Sequence, residues 1–188
     1  MVPQVLQLDI QGTPQAWITP EQAALHLSTD DVAWAIGESR PLAVLRGGIN
    51  ALLQRQSVLA IPPIIALRGQ ARVNLFDVEP TVTRRKLFIR DRFTCAYCGD
   101  LQDPRKLQAE HIHPESRGGQ YSWRNLCASC PACNARKKDR TPEEAGMPLL
   151  FVPYVPSRYE DFLLQGRNVR ADVHEWLAAR LPSHSRLH

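Results

Sequence analysis

The sequence predicts an α+β protein in three parts. A small α+β domain spans residues 1–80, a metal-stapled β-loop-β-helix domain spans 81–149, and a helical extension spans 150–188. Three observations predict this. Short alternating apolar runs and one well-marked helix start fill the first eighty residues. Two Cys-x-x-Cys pairs, Cys95/Cys98 and Cys130/Cys133, enclose 31 residues. Beyond residue 156 the apolar spacing turns helical.

In chain order, residues 5–10 alternate as a strand ended by Gly12, and residues 15–18 extend the pattern. Thr19-Pro20-Glu21-Gln22 combines a threonine cap, proline at the first helical position and a glutamine placed to close a capping box, which starts a helix reaching Leu27. Residues 31–36 and 41–45 read as strands, with turns expected at Gly37 and Gly47-Gly48; residues 49–56 read as a short helix or loop. Residues 57–67 are apolar but carry Pro62-Pro63, so an edge strand or an extended segment is expected. His26 stands alone, and residues 1–80 hold no catalytic constellation. They suit either a packing scaffold or a target-recognition domain.

Residues 81–93 predict a helix with Leu87 and Phe88 inward and basic residues outward. Residues 107–112 read as a strand stopped at Pro114, Ser116-Arg117-Gly118-Gly119 as a glycine loop, and 122–126 as a returning strand. A helix starts near Pro131. Thr141-Pro142-Glu143-Glu144 is a second capping box, stopped by Gly146. Prolines 148, 153 and 156 keep the next stretch extended. Residues 157–164 and 169–181 read as helices, the second packing back through Trp176 and Leu177, and residues from Pro182 onward read as a frayed tail.

Composition narrows the chemistry. With 44% hydrophobic and 22% charged residues the chain is globular. It has no apolar run near the roughly 20 residues of a membrane span. It opens without a secretory pattern, so a cytoplasmic setting is expected, where thiols stay reduced. Four of five cysteines in Cys-x-x-Cys pairs then favour structural zinc at Cys95, Cys98, Cys130 and Cys133. Cys127 forms an overlapping pair with Cys130. The later pair is preferred because it puts Asn134 and a basic helix directly after the second knuckle. Net charge is +4, yet 13 of the 23 Lys+Arg and only 6 of the 19 Asp+Glu fall between Arg84 and Arg140, a field suited to a polyanion.

The motifs within this region are specific. Cys-x-Tyr-Cys-Gly at 95–99, Glu-His-Ile-x-Pro-x-Ser-x-Gly-Gly at 110–119, Trp-x-Asn at 123–125 and Cys-x-x-Cys-Asn-x-x-Lys at 130–137 precede Arg-Thr-Pro-Glu-Glu-Ala-Gly at 140–146. Residues 84–149 thereby resemble the HNH endonucleases, the ββα-metal nucleases. The resemblance implies His111 as general base, since an imidazole titrates near neutral pH. It implies Glu110 and Asn134 as ligands of a catalytic divalent cation, Mg²⁺ or Mn²⁺, and Asn125 as the residue that holds the glycine loop and orients the base. It also implies DNA as substrate and products with 5′-phosphate and 3′-hydroxyl ends.

The sequence departs from the family's usual letters in carrying Glu rather than Asp before His111, and Asn134 where histidine often stands. Strict alternation would put Glu110 and His111 on opposite faces, so the strand must end or bulge there. His113 reads as a spare ligand, a substrate contact or an exposed strand-end residue. Arg117, Arg136, Lys137 and Lys138 are placed to meet phosphates; Arg84, Arg85, Arg90 and Arg92 are weaker candidates. A homodimer would bring two sites together for double-strand cleavage. The rival functions are a zinc-dependent module that binds nucleic acid without cutting it, and a degenerate nuclease serving in assembly.

Overall fold

The computed structural model describes residues 3–52, 54–69, 78–166 and 168–188. The chain divides into two compact units, and each draws on two stretches of sequence. One is Met1–Leu75 with Gly166–Ala179; the other is Phe76–Gln165 with Arg180–His188. Helices and strands mix in both, as an α+β chain requires.

The first unit is built on a four-stranded sheet. Strands β1 (Val5–Leu8), β2 (Pro14–Ile18) and β3 (Val32–Ile36) are joined by β6 (Ile64–Leu67) in the order β2-β1-β6-β3. β1 pairs antiparallel with β2 and parallel with β6, and β6 pairs antiparallel with β3. Helix α1 (Pro20–Ser28) has the expected capping box, with Thr19 accepting from the Gln22 N–H and the Gln22 side chain accepting in return from the Thr19 N–H. Val5, Ile18, Ala23, Ile61 and Ile65 form its core. Strands β4 (Ala43–Ile49) and β5 (Gln56–Ile61) make a separate antiparallel ribbon. Helix α6 (Ala171–Ala178) buries Val173 and Leu177.

Two expectations change in this unit. The edge strand or extended segment expected over residues 57–67 is two strands. Pro62-Pro63 falls at the join, where no ladder donor is required, and β6 beyond it is central and buried. Gly47-Gly48 is no turn: the pair lies within β4, where the register shifts between Arg46 and Ile49, so the glycines mark a bulge. The chain reverses instead over residues 50–55, of which Leu53 lies outside the described residues.

The second unit gathers on helix α2 (Arg84–Arg90), capped by the Thr83 hydroxyl. Its Leu87 and Phe88 pack with Leu107, Trp123, Leu126, Ala128 and Leu164. Strands β7 (Gln108–His111) and β8 (Leu126–Ser129) form an antiparallel hairpin with Glu110 opposite Cys127 and His111 opposite Leu126. The returning strand therefore starts later than its apolar letters suggest, because residues 122–125 are spent in the turn. Helices α3 (Pro131–Lys137), α4 (Pro142–Ala145) and α5 (Arg158–Gln165) follow. The second capping box forms on Thr141 and Glu144, and Gly146 ends α4 in the left-handed conformation.

The cations of α2 divide: Arg84 and Arg85 are exposed, as expected of an outer face, whereas Lys86 is largely covered and Arg90 turns inward. Arg90 is wholly buried, stacks over Trp123 and Tyr154, and donates to Asp91 and to the carbonyls of Trp123, Leu126 and Tyr154. Asp91 accepts in turn from the Ala128 N–H of β8. Arg84 donates to the Leu107 carbonyl, Arg85 to that of Leu164, and Lys86 pairs with Asp161 at 2.7 Å. The expected frayed tail is likewise tied down. Glu160 is fully buried and needs donors, and the Ser185 hydroxyl supplies one alongside the Tyr154 hydroxyl and the Ser157 N–H. No helix among the described residues is long and apolar enough to cross a membrane.

Candidate metal centre and nuclease site

The four predicted cysteines converge. The sulfurs of Cys95, Cys98, Cys130 and Cys133 all lie within 4.8 Å of one another, a set that can hold one tetrahedral ion. Cys127 stands apart, buried in β8 with its thiol 3.9 Å from the Tyr97 hydroxyl. Burial and the nearby Asp91 carboxylate push the Cys127 thiol up to about 12, so it stays protonated and inert. Burial also opposes ionisation of Cys95, but backbone N–H groups in the two knuckles outweigh it and bring that thiol down to about 7. Burial raises Cys98 to about 11. Cys130 doubles as the N-cap of α3, accepting from the Cys133 N–H at 3.4 Å. One residue thus contributes a sulfur to the cluster and starts the helix.

That helix then meets β7. The Asn134 side-chain amide donates to Gln108 Oε1 at 2.7 Å, and Lys137 Nζ donates to Glu110 Oε1 at 2.7 Å and to the His111 carbonyl at 2.8 Å. Residues 134 and 137 lie one turn apart on α3, and 108 and 110 share one face of β7. Glu110 and Asn134 therefore belong to facing surfaces. β7 ends at His111, which frees that side chain from strict alternation. The His111 ring meets Tyr121 edge-on at 5.9 Å, and its nitrogens have no hydrogen-bond partner among the described residues.

The loop between the hairpin strands is fixed by Asn125. Its side-chain oxygen accepts from the His113 N–H at 2.8 Å, and its amide donates to the carbonyls of His113 and Gln120. Gly119 closes the same loop so tightly that a Cβ there would stand 1.9 Å from the His113 carbonyl oxygen. His113 lies past the end of β7, and its Nε2 meets the Arg117 carbonyl at 3.0 Å.

The four basic candidates separate. Arg136 and Lys138 are exposed. Arg117 is exposed too, but both Glu144 oxygens hold its guanidinium at 2.8 Å. Lys137 corrects the surface reading: it is wholly buried and its ammonium is spent on Glu110 and His111. Its spacing three residues after Asn134 puts it on the same helix face, but only the contact with Glu110 distinguishes it from Arg136 and Lys138. Gln108 and Tyr121 were not anticipated either, since each matters only through a neighbour distant in sequence, and Glu144, expected in its capping box, also holds Arg117.

The donor set suits two different ions. Four sulfurs suit zinc. The Glu110 carboxylate and the Asn134 amide oxygen are hard donors that suit Mg²⁺ or Mn²⁺, and the Asn134 amide nitrogen, given to Gln108, leaves that oxygen available. No curated protein and no solved structure matches the chain. Residues 95–150, which carry both cysteine pairs, the β7–β8 hairpin, α3 and α4, match the family model of the HNH endonucleases.

Proposed function

We propose that the chain is a metal-dependent endonuclease that hydrolyses DNA phosphodiester bonds. The observation that carries this reading is the meeting of α3 with β7, which brings Asn134 and Glu110 onto facing surfaces beside an imidazole with no competing hydrogen bond. In this reading His111 takes the proton from the attacking water. Asn125 holds the loop that follows His111 so that the base keeps its place. Glu110 and Asn134 would hold a divalent cation, which supplies charge relief at the phosphate and at the departing 3′ oxygen. The products carry 5′-phosphate and 3′-hydroxyl ends. Arg136 and Lys138 steer the backbone, and zinc on the four cysteines fixes α3. The Arg117–Glu144 pair must open before Arg117 can reach a phosphate.

Plasmid nicking by zinc-loaded protein in Mg²⁺ or Mn²⁺ tests the proposal. Cleavage is expected, and His111→Ala should slow it by about 10²–10⁴-fold, the usual worth of a positioned base. A chain that binds DNA yet cuts no supercoiled, linear or branched form, with His111→Ala indistinguishable from it, overturns the enzyme reading in favour of a binding module.

A further inference from the structure

We propose that Lys137 is a positioning residue for Glu110 and His111, an inference that rests on reading Glu110 as a ligand of the divalent cation. A single ammonium holds the carboxylate of one residue and the backbone carbonyl of the next, at 2.7 and 2.8 Å. It therefore sets both the rotamer of residue 110 and the backbone from which the residue 111 imidazole projects. Oε1 of Glu110 is committed to Lys137, and Oε2 has no protein hydrogen bond among the described residues. That arrangement presents one oxygen of fixed orientation.

A purely structural contact would not call for a cation here. An apolar side chain at 137 would seat α3 on β7 by burial alone, whereas a fully buried ammonium must recover a large desolvation cost from its partners. What the ion pair adds is direction, and a reactive constellation has to be held to within roughly 0.5 Å. Lys137 also closes a chain of placement. Cys130 and Cys133 fix the start of α3, Asn134 grips Gln108, and Lys137 grips Glu110 and His111 at the helix end. The thiolate cluster thus orients the nuclease residues through about two turns of one short helix.

The test is Mn²⁺ binding to the zinc-loaded full chain, read by electron paramagnetic resonance, with Glu110→Gln as the control for the site. Lys137→Met should raise the Mn²⁺ dissociation constant about 10–100-fold, the usual effect of losing a residue that supports a metal ligand. It should leave one zinc per chain, and cleavage should recover partly at high Mn²⁺. Unchanged affinity overturns the proposal. So does tighter binding, which would make Lys137 a competitor of the cation. If Lys137→Met fails to retain zinc, Lys137→Gln carries the test, because its amide can keep one of the two bonds; wild-type affinity in that variant overturns the proposal. A wild-type chain that binds no Mn²⁺ sinks the Glu110 reading, and this inference with it.

Discussion

Gly119 and Lys137 show how differently single residues reveal themselves. A glycine pair after Pro-x-Ser announces a tight loop, and the loop is there, with the His113 carbonyl where a side chain would have to go. Gly119→Ala must push that carbonyl away from Asn125. A loss of about 1–3 kcal/mol in urea unfolding is expected, the scale of overpacking, together with slower cleavage. Wild-type values for both would show that the loop yields freely. Lys137 gives no such warning. Within Arg136-Lys137-Lys138 it carries the same charge as its neighbours, and helical spacing alone does not say which of three cations faces the strand. Glu110, 27 residues earlier, decides it. Asn125 lies between these cases: its role as a loop holder was implied by resemblance, while its partners at His113 and Gln120 are tertiary facts.

Local chemistry made some elements legible. Both capping boxes form where threonine, proline and an amide or acid at the right spacing placed them. α4 has only four residues, so its cap matters, and Glu144 also reaches across to Arg117. The Thr141 N–H, then the Arg117 side chain, hold the Glu144 carboxyl below its ordinary value of 4.5. A carboxyl lowered by folding stabilises the fold fully above its unfolded value, and that contribution disappears as pH falls through the lower folded value. Thermal melts of wild type and Glu144→Gln should therefore differ at pH 7 and converge as the pH drops below about 4.5. A gap that persists unchanged to pH 3 would assign it to packing. Strand order was not legible. Pro62-Pro63 suggested an edge, because proline lacks a donor; only the parallel pairing of β6 with β1, across more than fifty residues, makes it central.

For the molecule as a whole, the basic stretch from 84 to 140 overstates the field that a polyanion would meet. Arg90 and Lys137 are fully buried, and Lys86 is paired with Asp161. What faces outward includes Arg136 and Lys138. The cysteine cluster carries the converse lesson: spacing offered two overlapping pairs at its second knuckle, the place of Asn134 after Cys133 chose between them, and those four sulfurs come together. Cys130→Ser should lose zinc and much of the fold, because structural zinc in small domains contributes about 10–16 kcal/mol to folding. Cys127→Ser should keep it, its thiol lying outside the cluster. Elemental analysis of the two proteins decides; equal zinc loss from both would reject the assignment.

The interleaving of the two units along the sequence has a practical consequence for anyone who would borrow the segment that matches the HNH family model. The matched stretch ends at residue 150, but the core around Leu87 and Trp123 takes Leu164 from α5 and is flanked by Leu187 near the last residue. A fragment cut at the boundary of the motif would leave that apolar cluster open to water. The transferable piece is consequently larger than the signature that betrays it, and grafting, like recombination, would have to carry α5 and the closing residues along.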